Sequence, residues 1–157
     1  MDKARNSSIP IALGLMAFMF LLLGTLASFN DVLKPFLQQL FDLNYGQSAW
    51  VHFSFYLAYF FMAIPAAGVV ARFGYRKTIL LGLSIMMLGG IGGLLAGWMG
   101  IYAVYVLAVF GIAIGVAMVV VAINPYVSQI GSEKNTNARL NLVNSFYSLG
   151  GIVGHLL

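Results

Sequence analysis

Four long apolar stretches, separated by short connections that hold most of the lysine and arginine, leave this chain few ways to fold. They cover about 10–41, 49–70, 78–98 and 101–127, and a fifth, more polar stretch runs from about 137 to 157. Each of the four exceeds or matches the roughly 20 residues that a helix needs to cross the hydrocarbon core of a bilayer. A soluble domain carries about 25% charged residues. This chain carries 8%, with 61% hydrophobic residues and a mean hydropathy of +0.94. The expected fold is an all-α membrane protein with four complete transmembrane helices and a fifth that the chain leaves unfinished, forming one transmembrane domain over 1–157.

The basic residues also set an orientation. Lys3 and Arg5 precede the first segment, Arg72, Arg76 and Lys77 join the second to the third, and Lys134 and Arg139 join the fourth to the fifth. The alternate connections have none except Lys34, at the end of the first segment. The positive-inside rule then puts the N-terminus in the cytoplasm of a multi-pass protein of the inner (plasma) membrane. On that topology Trp50 and Trp98 both fall at the outer interface, where indole rings prefer to sit.

Several function classes drop out. A net charge of +4 raises the question of nucleic acid, but the basic residues form no patch interleaved with exposed aromatics. No nucleic-acid partner is expected. The absence of cysteine excludes disulfide frameworks and cysteine-ligated metal or haem sites, and no cofactor or metal is expected. Lys3 and Arg5 ahead of an apolar run mimic a signal peptide, yet that run is longer than the roughly 7 to 15 residues of a signal core. An enzyme would need paired acids, a metal cluster or a nucleophile with its base. The four acids are Asp2, Asp31, Asp42 and Glu133, and only Asp31 falls where a membrane helix should bury it.

Asp31 is the most informative single residue. An aspartate at the centre of a membrane helix costs roughly 2.5 to 3.5 kcal/mol on insertion scales and marks a substrate or proton path. Pro35, four residues on, cannot donate to the carbonyl of Asp31, so a backbone acceptor is freed beside the acid. Two readings are open: Asp31 faces a wet cavity, or the helix spans 9–29 and leaves Asp31 among the headgroups.

The fifth segment carries a polar stripe. At 100° per residue Asn141, Asn144, Ser145, Ser148 and His155 share one arc, with Arg139 roughly opposite Asn141. Such an arc can line a wet cavity and hydrogen-bond a polyol, or it can form a polar seam against neighbouring helices. On the second segment His52, Tyr56 and Tyr59 fall on one face at i, i+4 and i+7, and a tyrosine ring there can pack on the C–H face of a sugar. The glycines at 89, 93, 97, 111 and 115 recur every four positions and read as sites of close helix packing.

The strings Asn30-Asp31-Val32-Leu33-Lys34-Pro35, Ser54-Phe55-Tyr56-Leu57-Ala58-Tyr59-Phe60, Asn124-Pro125-Tyr126-Val127 and Arg139-Leu140-Asn141-Leu142 occur in this order along the chain. With them the chain resembles the fucose/galactose/glucose:proton symporter family of the major facilitator superfamily, in its N-terminal part. The connection with Gly68, Arg72, Gly74, Arg76 and Lys77 also resembles that superfamily's cytoplasmic loop signature, with Ala71 where the signature has an aspartate. The resemblance implies a permease that takes up a hexose or 6-deoxyhexose with a proton by alternating access. It makes Asp31 the proton-coupling residue and matches Asn124 to the family's helix 4 asparagine. Asn144 and Tyr147 stand where the fucose branch has a glutamine and an asparagine. Val120 stands where that branch has a glutamate associated with proton coupling. The sugar-contacting candidates are Asn30, Gln38, Tyr56, Tyr59, Asn124, Asn141, Asn144 and Tyr147.

The superfamily's fold has two six-helix halves with the substrate site at their interface. A chain of 157 residues is therefore expected to be the N-terminal piece of a transporter, partnered by a missing C-terminal half or by a second copy, besides sugar, proton and the bilayer. The rival expectation is a membrane interaction or assembly subunit, or an inactive truncated transporter, which needs only the packing faces and the topology.

Overall fold

A computed structural model describes the backbone of residues 2–156 and the side chains of residues 9–29 and 31–156. The order is α1 (Asp2–Val32), α2 (Lys34–Leu40), α3 (Tyr45–Phe73), α4 (Tyr75–Met99), α5 (Tyr102–Gln129), a 3₁₀ turn (Glu133–Asn135) and α6 (Thr136–Leu156). Among the described residues four stretches are long and apolar enough to cross a membrane: Ile9–Phe29, Tyr45–Phe73, Tyr75–Met99 and Tyr102–Gln129. The chain divides into two compact units, Met1–Val32 with Ile123–Leu157, and Leu33–Ala122.

In the first unit α1 and α6 run side by side in the same direction. A Cβ on Gly150 would strike the carbonyl of Leu21, and one on Gly24 would strike the carbonyl of Tyr147. At Gly154 it would lie 2.7 Å from the carbonyl oxygen of Thr25 and 2.8 Å from Cβ of Ser28. These glycines let two backbones touch, which is how helices associate where lipid supplies no hydrophobic drive. The Gly150-xxx-Gly154 spacing is the sequence signal for this contact. Phe20, almost wholly buried, meets the ring of Tyr147 edge-on at 6.2 Å.

The second unit begins where the first helical segment breaks. Sequence alone suggests a single helix over 10–41 bent at Pro35, but α1 stops at Val32 and α2 restarts at Lys34, with Leu33 as its N-cap. The proline then sits in the first turn of a new helix, where its missing N–H leaves no bond unmade. Helix α3 starts at Tyr45, ahead of the expected 49, because Asn44 and Gln47 form a reciprocal cap: Gln47 N–H donates to Asn44 Oδ1 at 2.8 Å and Asn44 N–H to Gln47 Oε1 at 2.9 Å.

Gly74 divides α3 from α4. Its φ of 80° and ψ of 166° belong to a region essentially reserved for glycine. The two apolar spans thus meet with a single residue between them. Beyond it α4 and α5 pack antiparallel through Gly82, Gly89 and Gly115. A Cβ on Gly82 would lie 2.9 Å from the carbonyl oxygen of Gly115, and one on Gly89 2.7 Å from Cγ1 of Ile112. Gly93 and Gly97 face open space instead. The contact repeats every seven residues rather than every four, so Gly82 and Gly89 share one face while the every-four series drifts off it.

Candidate functional site

Within the first unit, Asn124 is the candidate residue with the clearest chemical demand. Its Oδ1 is buried and has no hydrogen-bond partner among the described residues. Pro125 follows it inside α5, so the donor that would reach the carbonyl of Val121 is also missing. A buried acceptor left unpaired costs about 1 to 3 kcal/mol. A hydroxyl or N–H donor arriving at Asn124 recovers that cost.

Helix α6 separates its two faces by chemistry. Arg139, Val143, Gly150 and Gly154 are buried and form one stripe, whereas Asn141, Asn144, Ser145, Ser148 and His155 are exposed on the other side. The hydrogen bonds given by the polar arc run to α6's own carbonyls. Asn144 Nδ2 donates to Leu140 at 2.8 Å and Ser145 Oγ to Asn141 at 2.8 Å. His155 Nδ1 lies 2.9 Å from the carbonyl of Gly151, and since a carbonyl only accepts, Nδ1 carries the proton in that bond. Asn144 keeps its amide oxygen, and Ser145 its lone pairs, facing outward from the unit. Tyr147 lies at the edge of this arc, against Phe20.

Asp31 falls in the last turn of α1, exposed and two residues beyond the apolar span Ile9–Phe29. The side chain of Asn30 lies outside the described residues.

Arg139 has a role that its place in the sequence did not reveal. It is 9% exposed and its guanidinium gathers the chain end of α5 and the start of α6. Nη1 donates to the carbonyl of Ser132 at 2.9 Å and Nη2 to Thr136 Oγ1 at 3.1 Å, with longer bonds of 3.4 Å from Nε to Val127 and from Nη2 to Ser128. The last carbonyls of a helix have no intrahelical donor and carry the negative end of its dipole. A planar cation with five donors answers both needs.

The remaining candidates belong to the second unit. Gln38 donates from Nε2 to Ser48 Oγ at 2.8 Å, and Ser48 Oγ in turn donates to the carbonyl of Tyr45 at 2.9 Å. Its amide thus ties α2 to the start of α3. Tyr56 is 66% exposed, with the ring of His52 at 6.4 Å, and Tyr59 is half-buried on the same helix. Val120 is half-buried in α5.

Membrane-length helices packed through glycines, with an orphaned amide on one helix and an exposed polar arc on the next, define a polytopic helical bundle. The sequence profile of the Major Facilitator Superfamily matches residues 8–157, and the chain belongs to that superfamily. The chain is 37% identical over 152 residues to a glucose/galactose transporter of Brucella abortus, covering 97% of this chain and 37% of that protein. It is 32% identical over 152 residues to the L-fucose-proton symporter of Escherichia coli, covering 97% and 35%. A crystal structure of a fucose symporter of the superfamily in the outward conformation superposes with a TM-score of 0.81 at 31% identity, over 95% of this chain and 37% of that one. The chain thus spans little more than a third of the relatives it matches, and it corresponds to the N-terminal part of their fold.

Proposed function

We propose that this chain is part of a permease that takes up a neutral hexose or 6-deoxyhexose together with a proton by alternating access. The observation that carries the reading is the unpartnered Oδ1 of Asn124. It needs a donor, and a sugar presents a hydroxyl on nearly every carbon. In the same unit the exposed arc of Asn141 and Asn144 on α6 offers further amides and Tyr147 a ring and a hydroxyl; in the second unit, taken by itself, Tyr56 and Tyr59 offer rings on which the C–H side of a sugar can pack. Asp31 exchanges the proton. The names of the relatives, glucose/galactose transporter and L-fucose-proton symporter, support the substrate class. The partner that completes the site is a C-terminal half or a second copy, because sites of this kind lie at the interface of repeats.

Asn124→Leu gives two effects of opposite sign in a full-length permease containing this chain. Replacing an unpaired buried amide by an apolar side chain of similar volume is neutral or stabilising without ligand. Sugar affinity, in contrast, falls by roughly five- to a hundred-and-fifty-fold, the equivalent of about 1 to 3 kcal/mol. Asn144→Ala weakens sugar binding in the same titration, and Leu142→Ala, off the polar arc, leaves it unchanged. Isothermal titration and thermal melts of the three variants read these outcomes. An Asn124→Leu protein that binds sugar like the parent, or losses as large at Leu142 as at Asn144, would reject the reading.

The membrane orientation follows from the lysine and arginine bias, with the N-terminus and residues 71–78 in the cytoplasm of a cell whose inner membrane holds the protein. Single cysteines at Ala4, Asn44, Gly74 and Gly100 are expected to react with an impermeant thiol reagent from outside only at 44 and 100. Labelling of intact cells at 74 would overturn the topology.

A further inference from the structure

No carboxylate occurs between Asp42 and Glu133, yet Arg72, Arg76 and Lys77 fall inside that stretch. All three side chains are exposed. They flank Gly74, which joins two membrane-length helices, Tyr45–Phe73 and Tyr75–Met99, with no intervening loop. Cations so placed cannot retreat from the membrane face where both spans end, so they stand at the level of the headgroups. Phe73, 53% exposed, sits among them with the guanidinium of Arg72 5.7 Å from its ring centre. Thr78, wholly buried, donates from Oγ1 to the carbonyl of Gly74 at 2.9 Å, inside the first turn of α4. The cations at this turn lack a counter-ion from their own unit's spans, and an exposed apolar ring lies beside them.

We propose that Arg72, Arg76 and Lys77 form a binding site for the phosphate of an anionic phospholipid headgroup, with Phe73 seated beside its glycerol and upper acyl chain. Guanidinium groups match phosphate oxygens with paired N–H donors, and the lysine adds a point charge. Each juxtamembrane cation strengthens attraction to an anionic lipid by roughly five-fold, so the three together give roughly a hundred-fold preference over a zwitterionic lipid. The site is independent of which sugar, or whether any proton, is carried.

The test titrates a full-length permease containing this chain, in detergent micelles, with phosphatidylglycerol, phosphatidylcholine or inorganic phosphate, counting retained adducts by native mass spectrometry. The parent is expected to keep phosphatidylglycerol in preference to phosphatidylcholine, less so in high salt. Each of Arg72→Gln, Arg76→Gln and Lys77→Gln weakens that binding by roughly five-fold, the triple variant removes the preference, and Arg76→Lys retains most of it. Lys134→Gln, outside the cluster, leaves it unchanged. Equal retention of the two lipids by the parent overturns the proposal, as does a triple variant with parental affinity. Inorganic phosphate that displaces phosphatidylglycerol at equal concentration overturns it in favour of a soluble-anion site. Should circular dichroism show that the triple variant has lost helix, the single variants decide: no loss at any of them overturns the site.

Discussion

Asp31→Asn in a full-length permease containing this chain is expected to abolish uphill sugar uptake and sugar-induced proton entry while leaving sugar exchange across the membrane measurable. The change removes the charge and the exchangeable proton but keeps the size and most hydrogen-bonding capacity of the side chain. One proton moving down 100 mV supplies about 2.3 kcal/mol, enough to concentrate a neutral sugar by roughly fifty-fold at 1.4 kcal/mol per decade. Loss of the coupling group removes that gradient whole, so accumulation falls to equilibration. Asp31 is the only acid of α1 within the described side chains, and Val120 provides none on α5. Uptake into energised vesicles, external pH during sugar addition, and counterflow of labelled sugar separate the cases. Accumulation with alkalinisation of the medium like the parent's would show that Asp31 does not couple.

Gly150→Val is expected to cost the folded protein itself. Its Cβ would meet the carbonyl oxygen and carbon of Leu21 and, at 2.9 Å, the amide nitrogen of Thr25, all of them backbone atoms that no rotamer change can move. Helices α1 and α6 must then separate along the contact that binds the first unit together. Overpacking of this kind costs about 3 kcal/mol or more, which lowers the melting temperature by roughly 6 to 12 °C in a protein of this size. Gly93→Val, at a position where a Cβ meets nothing, leaves it within a degree or two. Melting in detergent, followed by the monodisperse peak in size exclusion, compares the two. Equal melting temperatures would show that the crossing at Gly150 contributes nothing to stability.

Sequence carried far for features set by local covalent chemistry and by length. Apolar runs long enough to span a bilayer, a bend at Pro35 and the strings around Asp31, Asn124 and Arg139 are all properties of a segment taken alone, whereas the restart at Lys34 and the meeting of two spans at Gly74, in place of a connection over 71–77, emerged only in the fold. The polar arc of α6 followed from angular spacing.

What depended on partners could be reached only through the tertiary structure. Glycines at 93 and 97 have the same spacing as true contact glycines, but which glycine meets a backbone depends on where the neighbouring helix crosses. That crossing selected Gly82, Gly89 and Gly115 in one unit and Gly24, Gly150 and Gly154 in the other. Arg139 looked like one more cytoplasmic charge. It became a buried clamp because the carbonyls ending α5 come within reach of its donors. Asn124 was a motif residue in the sequence and an unpaired acceptor in the fold. The pattern of side chains determined where helices form and which faces are polar, because those depend on the chain's own periodicity; the packing decided which polar atoms are satisfied, because a hydrogen bond needs a second group whose position no single segment encodes.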